Sequence, residues 1–482
     1  MSRTEFPEDK KINLMLVVPM LHQGGFERVC VKTARLLAPL YNVTIAVFDL
    51  SDAAFDLEGL HVEELGIGAA DSRIAKILNV PRRVRALKKL KRKLGTQISY
   101  SFGSTASLTN SLARAGDRLV IGIRSYMDLD NPRRIRLNCR NADLIISCSR
   151  EIEQIIREEY RCEHITTVYN PIRIPGDEEI RRGRSFLAGK MAGGNGGNGG
   201  GAGDAGKMAG GNGGGAGDAG NAAGSEAGDN AGGAVNDAVF RRECGAEDPT
   251  LRKFLCDHPH FAVSMGREDD VKGFWHQLKA MAAVIEEEEK AGEKHTGLII
   301  IGDGAYTGYR KLAADLGIGR DVYFTGLLRQ PSALCSLADM YLLTSTFEGF
   351  PNALVESMAV GVPAIAVDCP TGPMEILCSE KEIQEIRRGP RGRKEETISS
   401  PIDVQYGTLI PPMDGTISFD AGTISDEERA LAEVILRYER SPEYRNAYAR
   451  KARERAAVFS EEAYVRNLDR LFRGLSEGSD GR

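Results

Sequence analysis

The chain has 482 residues, of which 42% are hydrophobic and 27% are charged. At roughly 100–200 residues per domain, this length predicts two or three domains with sizeable cores, and it excludes a small single module and a chain disordered throughout. The net charge of −5 hides an asymmetry, because residues 1–187 carry net +7 and residues 236–482 carry net −10. A basic half suits a membrane surface, nucleic acid or an anionic substrate, and the modest excess selects none of them.

The first half alternates short β-branched runs with helix-like stretches, which is typical of βα units around a parallel sheet. Strands are predicted at residues 12–20, 43–50, 97–102, 119–123, 144–148 and 165–169. Helices are predicted at 27–40, 81–94 and 150–160, and Ser149 is expected to cap the last of them. Residues 1–187 are therefore predicted to form a Rossmann-like α/β domain.

One predicted helix of this domain is strongly basic, since residues 82–93 (RRVRALKKLKRK) hold eight cations in twelve positions. Val84, Leu87, Leu90 and Leu94 recur at helical spacing. The default interpretation is an amphipathic helix that packs on the sheet. The alternative is peripheral contact of its cations with an anionic membrane surface.

A glycine-rich tract separates the two halves. It holds 21 of the 54 glycines between residues 189 and 233, and no Leu, Ile, Val or aromatic residue. Such a tract buries too little apolar surface to offset the entropy of ordering its backbone. The near-duplicated KMAGGNGG and GAGDAG segments are typical of low-complexity expansion. Residues 188–235 are therefore predicted to be a disordered linker.

The second half repeats the α/β pattern, with predicted strands at 261–265, 298–301, 322–324, 340–343, 364–367 and 408–410. Helices are predicted at 274–290, 309–316, 353–360 and 427–438. These elements predict a second Rossmann-like domain over 236–458, with a charged, strand-poor insertion at 378–404. A C-terminal helix at 459–482 is expected to pack back toward the first domain. Paired domains of this kind usually bind a ligand between them, at the carboxyl ends of their strands.

The cysteines and the N-terminus indicate the compartment. Nine cysteines, an odd number without a C-x-x-C pair, argue against a disulfide framework or a zinc knuckle. The first residues, MSRTEFPEDKK, are too polar for a signal peptide, and no apolar run approaches the length of about 18 residues that a membrane span needs. We expect a cytoplasmic protein.

Two cationic residues, Arg267 and Lys272, follow the end of a predicted strand in the segment SMGREDDVKG, residues 264–273. The spacing lets Arg267 and Lys272 converge on one point above the sheet, where a diphosphate would suit a planar guanidinium and a compact ammonium. The alternative is a solvated loop in which Asp269 and Asp270 pair with these cations. From these ten residues alone, both interpretations stay open.

Two glutamates, Glu348 and Glu356, lie eight positions apart in the stretch 344–373. The helix expected to begin near Asn352 directs its first N–H groups and the positive end of its dipole at the crevice, which favours an anion there. Glu356 lies about one turn into that helix among apolar neighbours. A carboxylate held there needs donors, and sugar hydroxyls or an Arg or Lys of the protein itself are the candidates.

These motifs carry a family resemblance. The Glu-x7-Glu element EGFPNALVE, the upstream GREDDVKG, IGDG at 301–304 and GGFERV at 24–29 resemble glycosyltransferase family 4. Members of that family are retaining nucleotide-sugar enzymes with the GT-B fold, in which two Rossmann-like α/β domains with parallel sheets face each other across a cleft. DCPTGPMEIL and YGTLIPP resemble the branch that assembles bacterial polysaccharides and glycans.

The resemblance implies a role for each matching residue. Glu348 would bind hydroxyls of the donor sugar and Glu356 the nucleotide ribose, with Arg267 and Lys272 on the diphosphate. The remaining donor-binding residues that it implies are Gly349, Phe350, Pro351, Asn352, Gly266, Gly302, Gly24 and Gly25.

This chain departs from the family pattern at two positions. Relatives often place a His near the reacting carbon, whereas the corresponding strand end here reads IRSYMD and offers Arg124 and Asp128. These two residues and Asn170 are assigned to the acceptor side. Met374 stands where the polysaccharide branch often has Arg, which weakens the inferred sugar contacts.

The resemblance also implies the chemistry. Cations with a helix N-terminus can stabilise a departing diphosphate, so no metal and no cofactor are expected. The expected reaction is retaining transfer of a hexose-type sugar, from a UDP-linked donor, to a glycan or lipid-linked acceptor. A soluble small-molecule acceptor and a noncatalytic nucleotide-sugar-binding subunit are the alternatives. Nucleic acid is disfavoured as a partner, because the basic residues lack interleaved aromatics and the chain has one Trp.

Overall fold

The structure, a computed structural model, describes residues 11–22, 24–51, 53–68, 73–188, 245, 247–386 and 398–477. Within these residues the chain forms two α/β units, each built on a seven-stranded sheet. The glycine-rich tract 189–233, and the prediction that it is disordered, lie outside the described residues.

The first sheet is parallel throughout, with the strand order β3-β2-β1-β4-β5-β6-β7. Its strands are β1 Asn13–Val18, β2 Asn42–Val47, β3 His61–Glu64, β4 Ile98–Ser101, β5 Arg118–Ile123, β6 Leu144–Ser147 and β7 Ile165–Thr167. The helices of this part of the chain are α1 Gly25–Leu37, α2 Arg73–Lys93, α3 Ser104–Leu112, α4 Pro132–Asn141, α5 Arg150–Tyr160 and α6 Asp177–Ala188. A 3-10 turn, Tyr126–Asp130, lies between β5 and α4.

The second sheet has the order β10-β9-β8-β11-β12-β14-β13, and all its pairings are parallel except β13 with β14. Its strands are β8 Phe261–Met265, β9 Gly297–Ile301, β10 Val322–Phe324, β11 Met340–Leu343, β12 Ala364–Val367, β13 Ile402–Val404 and β14 Gly407–Ile410. The helices are α7 Pro249–Asp257, α8 Phe274–Ala291, α9 Thr307–Asp315, α10 Pro331–Cys335, α11 Asn352–Ala359, α12 Pro373–Leu377, α13 Glu380–Ile386, α14 Asp426–Arg440, α15 Pro442–Ala456 and α16 Glu461–Glu477.

The predicted α/β class with two parallel-sheet Rossmann-like units is confirmed, and each predicted strand corresponds to an observed one. The Ser149 cap is confirmed as well, because its hydroxyl accepts a hydrogen bond from the Ile152 N–H at 3.2 Å. One expectation was wrong. The basic helix begins at Arg73 and contains Pro81 in its interior, whereas the prediction started it at residue 81. The segment predicted as strand-poor holds one short strand in its described part, β13, which pairs with β14 at the sheet edge.

The chain crosses between the two units twice. Helix α16 packs on the first sheet, where Tyr464, Leu468 and Phe472 are buried with Leu16 and Val18. The segment between β7 and α6 contacts the segment that leads into α16, because the Ile172 N–H bonds the Phe459 carbonyl at 2.9 Å. None of the helices in the described parts of the chain is long and apolar enough to cross a membrane.

The composition of the tract leads to the first prediction. Replacing residues 189–233 by a Gly/Ser sequence of equal length should leave the cooperative unfolding of both α/β units unchanged, because the tract has no Leu, Ile, Val or aromatic side chain to bury. Urea unfolding followed by circular dichroism measures this. A lower unfolding midpoint, or aggregation of the replaced protein, would show that the natural tract contributes to the fold.

Candidate active site

Residues that follow strands of both sheets face each other across the boundary between the two units. Backbone and side chains from the first unit reach the stretch 348–356 of the second unit. The contacts are Arg28 Nη1 to Glu356 Oε1 at 3.8 Å, Asn170 Nδ2 to Asn352 Oδ1 at 2.9 Å, and the Arg124 carbonyl against Gly349. This boundary, called the cleft below, is where the predicted site residues gather.

Lys272 and Glu348 are brought together in the cleft. The Lys272 ammonium lies 2.8 Å from Glu348 Oε1, and the two side chains are 25% and 12% exposed. Thr344 holds the Lys272 loop in place, since its hydroxyl bonds the carbonyls of Lys272 and Gly273. Gly273 has φ 60°, and a Cβ there would lie 2.4 Å from the Thr344 carbonyl, so only glycine permits this approach.

Arg267 lies apart from that pair. Its guanidinium contacts Asp269 at 3.0 Å and is 61% exposed. In the structure, Arg267 pairs with a carboxylate of its own loop, whereas Lys272 turns into the cleft and pairs with Glu348. An exposed pair of this kind contributes at most about 1 kcal/mol, so Arg267 can exchange Asp269 for an anionic ligand at little cost.

Gly266 and Gly302 make the close packing beneath this loop possible. A Cβ on Gly302 would lie 1.8 Å from the Gly266 carbonyl, and a Cβ on Gly266 would lie 3.2 Å from the Lys272 side chain. Both predicted donor-binding glycines thus allow the loops after β8 and β9 to pack against each other. The Lys272 side chain packs against Gly266 in this arrangement.

The loop before α11 is packed from both sides. Phe350 is 5% exposed, and its ring lies 5.3 Å from those of Tyr169 and Phe459. Pro351 precedes the first residue of α11 and has no N–H to offer a ligand. Both residues, which were predicted to bind the donor, shape this loop by their packing: they lie between Glu348 on one side and the helix N-terminus at Asn352 on the other.

Glu356 lies about one turn into α11 with 28% of its side chain exposed, and Arg28 of the other unit is its ionic contact at 3.8 Å. The protein thus supplies the cation that the sequence left open as an alternative partner. At that distance, with Arg28 51% exposed, the contact is weak and leaves the carboxylate available to hydroxyl donors.

Gly24 and Gly25 precede and begin α1 at the cleft. A Cβ on Gly24 would lie 2.1 Å from Glu27 Oε2, whereas nothing lies within 4 Å of one on Gly25. Glu27, which the sequence analysis missed, is 5% exposed, and its Oε2 has no hydrogen-bond partner. Burial raises the pKa of Glu27, and nearby Arg267 and His22 oppose that rise. Its place in the first turn after a glycine pair was the available signal.

The three residues assigned to the acceptor side have structural partners. Arg124 is 7% exposed, and its guanidinium bonds Asn170 Oδ1 at 2.8 Å and the Tyr100 hydroxyl. Asp128 accepts the Arg124 N–H at 3.0 Å. The structure therefore buries the Arg124 side chain, and Asn170 connects it to Asn352 of the second unit.

A buried carboxylate cluster at the domain boundary was also missed. Glu375 in α12 is 4% exposed; its Oε2 accepts the Arg150 N–H at 2.9 Å and the Tyr169 hydroxyl at 3.1 Å. Burial, together with nearby Glu151, raises the pKa of Glu375 to about 7. Glu151 accepts the Thr371 N–H at 3.0 Å. The sequence held no signal for this cluster, since its members are 224 residues apart.

A metal site is not apparent in this arrangement. Across the described ranges, the His, Cys, Asp and Glu side chains form no group of three or more with the geometry to hold a metal ion. The polar groups gathered at the cleft are the Lys272–Glu348 pair, Arg267, Glu356 and the start of α11. Together they offer cations and a helix N-terminus to an anion, and carboxylates to hydroxyl groups.

Comparison with known proteins defines the class. Residues 252–385 match the family model described as "Glycosyl transferases group 1". This range includes Arg267, Lys272, Glu348 and Glu356. The fold is GT-B: the structure of Anabaena Alr3699/HepE in complex with UDP and glucose superposes with a TM-score of 0.62 over 96% of this chain and 100% of that one, at 16% identity.

Two curated relatives match parts of the chain. An uncharacterized glycosyltransferase of Methanocaldococcus jannaschii is 27% identical over 44% of this chain and 49% of its own length. The lipopolysaccharide 1,6-galactosyltransferase of Salmonella typhimurium is 36% identical over 17% of this chain and 24% of its own. The chain thus spans about half or less of the length of these relatives. Fold and relatives are those of glycosyltransferases, which are transferase enzymes.

Proposed function

We propose that the protein is a retaining glycosyltransferase of family 4 that moves a hexose-type sugar from a UDP-linked donor to a glycan or lipid-linked acceptor. The observation that carries this proposal is the Lys272–Glu348 pair, 2.8 Å apart at the mouth of the cleft, inside the segment that matches the glycosyl transferase group 1 family. A cation and a carboxylate at one point suit a ligand that has a diphosphate beside sugar hydroxyls.

The residues divide the donor between them. Lys272 would move its ammonium from Glu348 to the diphosphate, and Arg267 would leave Asp269 for the same group. Glu348, released from Lys272, would accept hydroxyls of the sugar, while Glu356 would accept those of the ribose. The HepE structure, which holds UDP and glucose, supports UDP as the nucleotide of the donor. The galactosyltransferase relative supports a glycan acceptor.

Catalysis would rest on charge stabilisation and orientation. In front-face attack the leaving phosphate accepts the proton of the acceptor hydroxyl, so the protein needs no separate base. Arg267, Lys272 and the N-terminus of α11 would stabilise the negative charge that develops on the leaving diphosphate. Asn170 and Arg124 would not touch the substrate; they would position the start of that helix, because Arg124 bonds Asn170 and Asn170 bonds Asn352.

The proposal is tested first by binding and then by turnover. Nucleoside diphosphates and their sugars are screened by thermal unfolding, because a ligand at 100 times its dissociation constant stabilises the folded state by about 2.7 kcal/mol. The best donor is then assayed for nucleoside-diphosphate release, with and without acceptor candidates. Stabilisation by a UDP-sugar followed by release supports the enzyme, whereas stabilisation without any turnover would point to the noncatalytic subunit.

Metal independence is the second prediction. Because cationic side chains and a helix N-terminus would neutralise the diphosphate, the transfer rate should be unchanged in excess EDTA. Rates are measured after the protein has been dialysed against the chelator and again after Mg²⁺ or Mn²⁺ has been restored. A strict need for either ion would refute the assignment of Arg267 and Lys272.

We further propose that the first unit approaches the cytoplasmic face of an anionic membrane through α2. Leu87 and Leu90 of this helix are buried, and Lys91 is buried in a 2.8 Å ion pair with Asp117. Five cations on the same helix are exposed: Arg82, Arg85, Lys89, Arg92 and Lys93. The helix thus packs by its apolar side and presents cations outward, which suits anionic headgroups.

Vesicle co-sedimentation provides the third prediction. Binding to anionic vesicles should exceed binding to neutral ones and fall as salt rises. Replacing Arg85 and Lys89 by Gln should cost about 1 kcal/mol of binding for each lost cation. The control replaces Arg450 and Lys253, which are exposed cations of the second unit, and should leave binding unchanged. Equal binding to neutral and anionic vesicles would contradict the proposal.

A further inference from the structure

A buried histidine, His276, joins three elements of the second unit next to the Lys272 loop. It lies in the first turn of α8. Its Nδ1 lies 2.7 Å from Glu428 Oε1, in the first turn of α14, and its Nε2 lies 2.8 Å from the Asp414 carbonyl oxygen, in the loop after β14. The imidazole and the Glu428 carboxylate are both buried. The donor contacts proposed above do not involve His276.

Both ring nitrogens of His276 face oxygen atoms, and this fixes the bonds that the ring makes. A carbonyl oxygen only accepts, so Nε2 donates a hydrogen bond to the Asp414 carbonyl. Glu428 Oε2 accepts the Ser425 N–H at 2.8 Å, which leaves Oε1 for the bond with His276 Nδ1. A buried polar group without its partner costs more free energy than the bond itself contributes. Loss of the imidazole would therefore release the Asp414 loop from α8.

The loop after β14, residues 411–425, is held on α8 at a second point. One turn further along this helix, Lys279 is buried, and its ammonium donates to Ser418 Oγ at 3.2 Å. The loop also packs against the loop after β11, since a Cβ on Gly415 would lie 3.4 Å from Thr346 Cγ2. Residues 411–425 thus connect α8 with Thr346, in the loop that leads to the cleft glutamates.

The backbone on both sides of Lys272 is bonded by these same elements. The His276 N–H bonds the Gly273 carbonyl at 3.0 Å, and the Thr346 N–H bonds the Val271 carbonyl at 2.9 Å. The residue after Lys272 is thus held by the first turn of α8, and the residue before it by the residue against which the loop after β14 packs. A shift of that loop would be transmitted to the Lys272 ammonium in the cleft.

We propose that His276 is a positioning residue for the Lys272 ammonium. It bonds the loop 411–425 to the start of α8, and this bond keeps Lys272 where it meets the donor diphosphate. The inference rests on the proposed function, because the diphosphate is the ligand assigned to Lys272. His276 itself would not touch the substrate. Since donor and product share the diphosphate, loss of the Asp414 bond should weaken UDP binding and slow transfer, and leave the KM of the acceptor unchanged.

Two amide substitutions separate the two bonds of the ring. Glutamine can place its side-chain N–H near the position of Nε2 and keep the bond to the Asp414 carbonyl, whereas asparagine reaches only the position of Nδ1, beside Glu428. His276→Asn should slow transfer on the order of 100-fold, the cost of about 1 Å of misplacement. It should weaken UDP about 10-fold, the effect of one hydrogen bond to a charged group. His276→Gln should stay close to the natural chain in both.

The control is His260→Asn, because this histidine precedes β8 and its side chain is 40% exposed. Steady-state rates with the UDP-sugar that the thermal screen selects, and calorimetry with UDP, are measured on all four proteins below their unfolding midpoints. A role in stability alone predicts lower midpoints and equal kinetics for the two His276 variants, and that result would overturn the inference. A natural chain that neither binds UDP nor transfers sugar would contradict the proposed function.

The natural chain provides a second test that needs no variant to fold. Coupling between two sites is reciprocal, so if the loop 411–425 positions Lys272, UDP bound there must stabilise the loop. Amide hydrogen exchange of peptides from this loop should slow when UDP is added, more than that of peptides from α16, which packs on the first sheet. Exchange of the loop that is unchanged at saturating UDP would overturn the inference.

Discussion

Replacing Gly349 by alanine is expected to lower sugar transfer by at least about 100-fold while both α/β units stay folded. A Cβ on Gly349 would lie 2.1 Å from the Arg124 carbonyl oxygen and 2.9 Å from the Ser125 Cα, both of them backbone atoms of the opposite unit. Backbone cannot rotate aside as a flexible side chain can, so the units must separate. A displacement of about 1 Å at a reacting centre costs on the order of 100-fold in rate.

The experiment combines steady-state rates, thermal unfolding and small-angle scattering on Gly349→Ala. The expected result is a large loss of rate, a larger radius of gyration and an unfolding midpoint close to that of the natural chain. Gly474→Ala in α16 is the matched control, because nothing lies within 4 Å of a Cβ there. Helix propensity predicts that this control gains up to about 1 kcal/mol of stability without losing rate. A Gly349→Ala enzyme with a normal rate would show that the units do not meet in this way during catalysis.

The stability of the protein is expected to fall between pH 4.5 and about 7 because of Glu375. Burial holds the pKa of Glu375 at about 7 in the folded state, against 4.5 for the free side chain. Below pH 4.5 both states carry the proton. As pH rises toward 7, the unfolded state has released its proton while the folded state still holds it, so the free energy of unfolding decreases. Each unit of pKa difference is worth about 1.4 kcal/mol, which puts the whole effect on the order of 3 kcal/mol.

Glu375→Gln isolates this contribution, because glutamine does not titrate. Urea unfolding of both proteins at pH 5 and pH 8 should show that the stability of the natural chain relative to Glu375→Gln decreases by up to about 3 kcal/mol over that interval. Glu385→Gln on the neighbouring helix α13 has a side chain 56% exposed and serves as the control that should parallel the natural chain. A pH-independent difference for Glu375→Gln would mean that this carboxyl is not held protonated at the domain boundary.

The strands that form the centre of each sheet could be predicted because they are buried on both faces. Runs such as residues 119–123 and 298–301 are continuously apolar, and the structure buries every residue in them. The two missed strands are edge strands with weak patterns. β3 reads HVEE and is half exposed, and β13 has three residues that pair antiparallel to a neighbour. Short polar edges carry too little apolar pattern to be told from loops.

The location of the site was predictable for a topological reason, since parallel strands place the loops after their carboxyl ends on one edge. The ion pairs within the site could not be predicted from the sequence. Lys272 meets a carboxylate 76 positions away, and Arg28 reaches Glu356 from the other unit. Sequence distance is uninformative once the chain has crossed between units. Arg124 illustrates the same limit, because a strand-end arginine reads as a cleft residue until its buried partners Tyr100 and Asn170 are known.

The most direct test of the central claim compares sugar transfer with nucleotide binding in Glu348→Gln and Glu356→Gln. Glu348→Gln should lower the transfer rate by about 100- to 1,000-fold, the range for loss of one group that stabilises the transition state, and leave nucleoside-diphosphate affinity nearly unchanged. Glu356→Gln should weaken the sugar-free nucleotide itself. The product of the natural enzyme, read by nuclear magnetic resonance, should keep the anomeric configuration of the donor. An inverted product, or equal weakening of the nucleotide by both substitutions, would contradict the account.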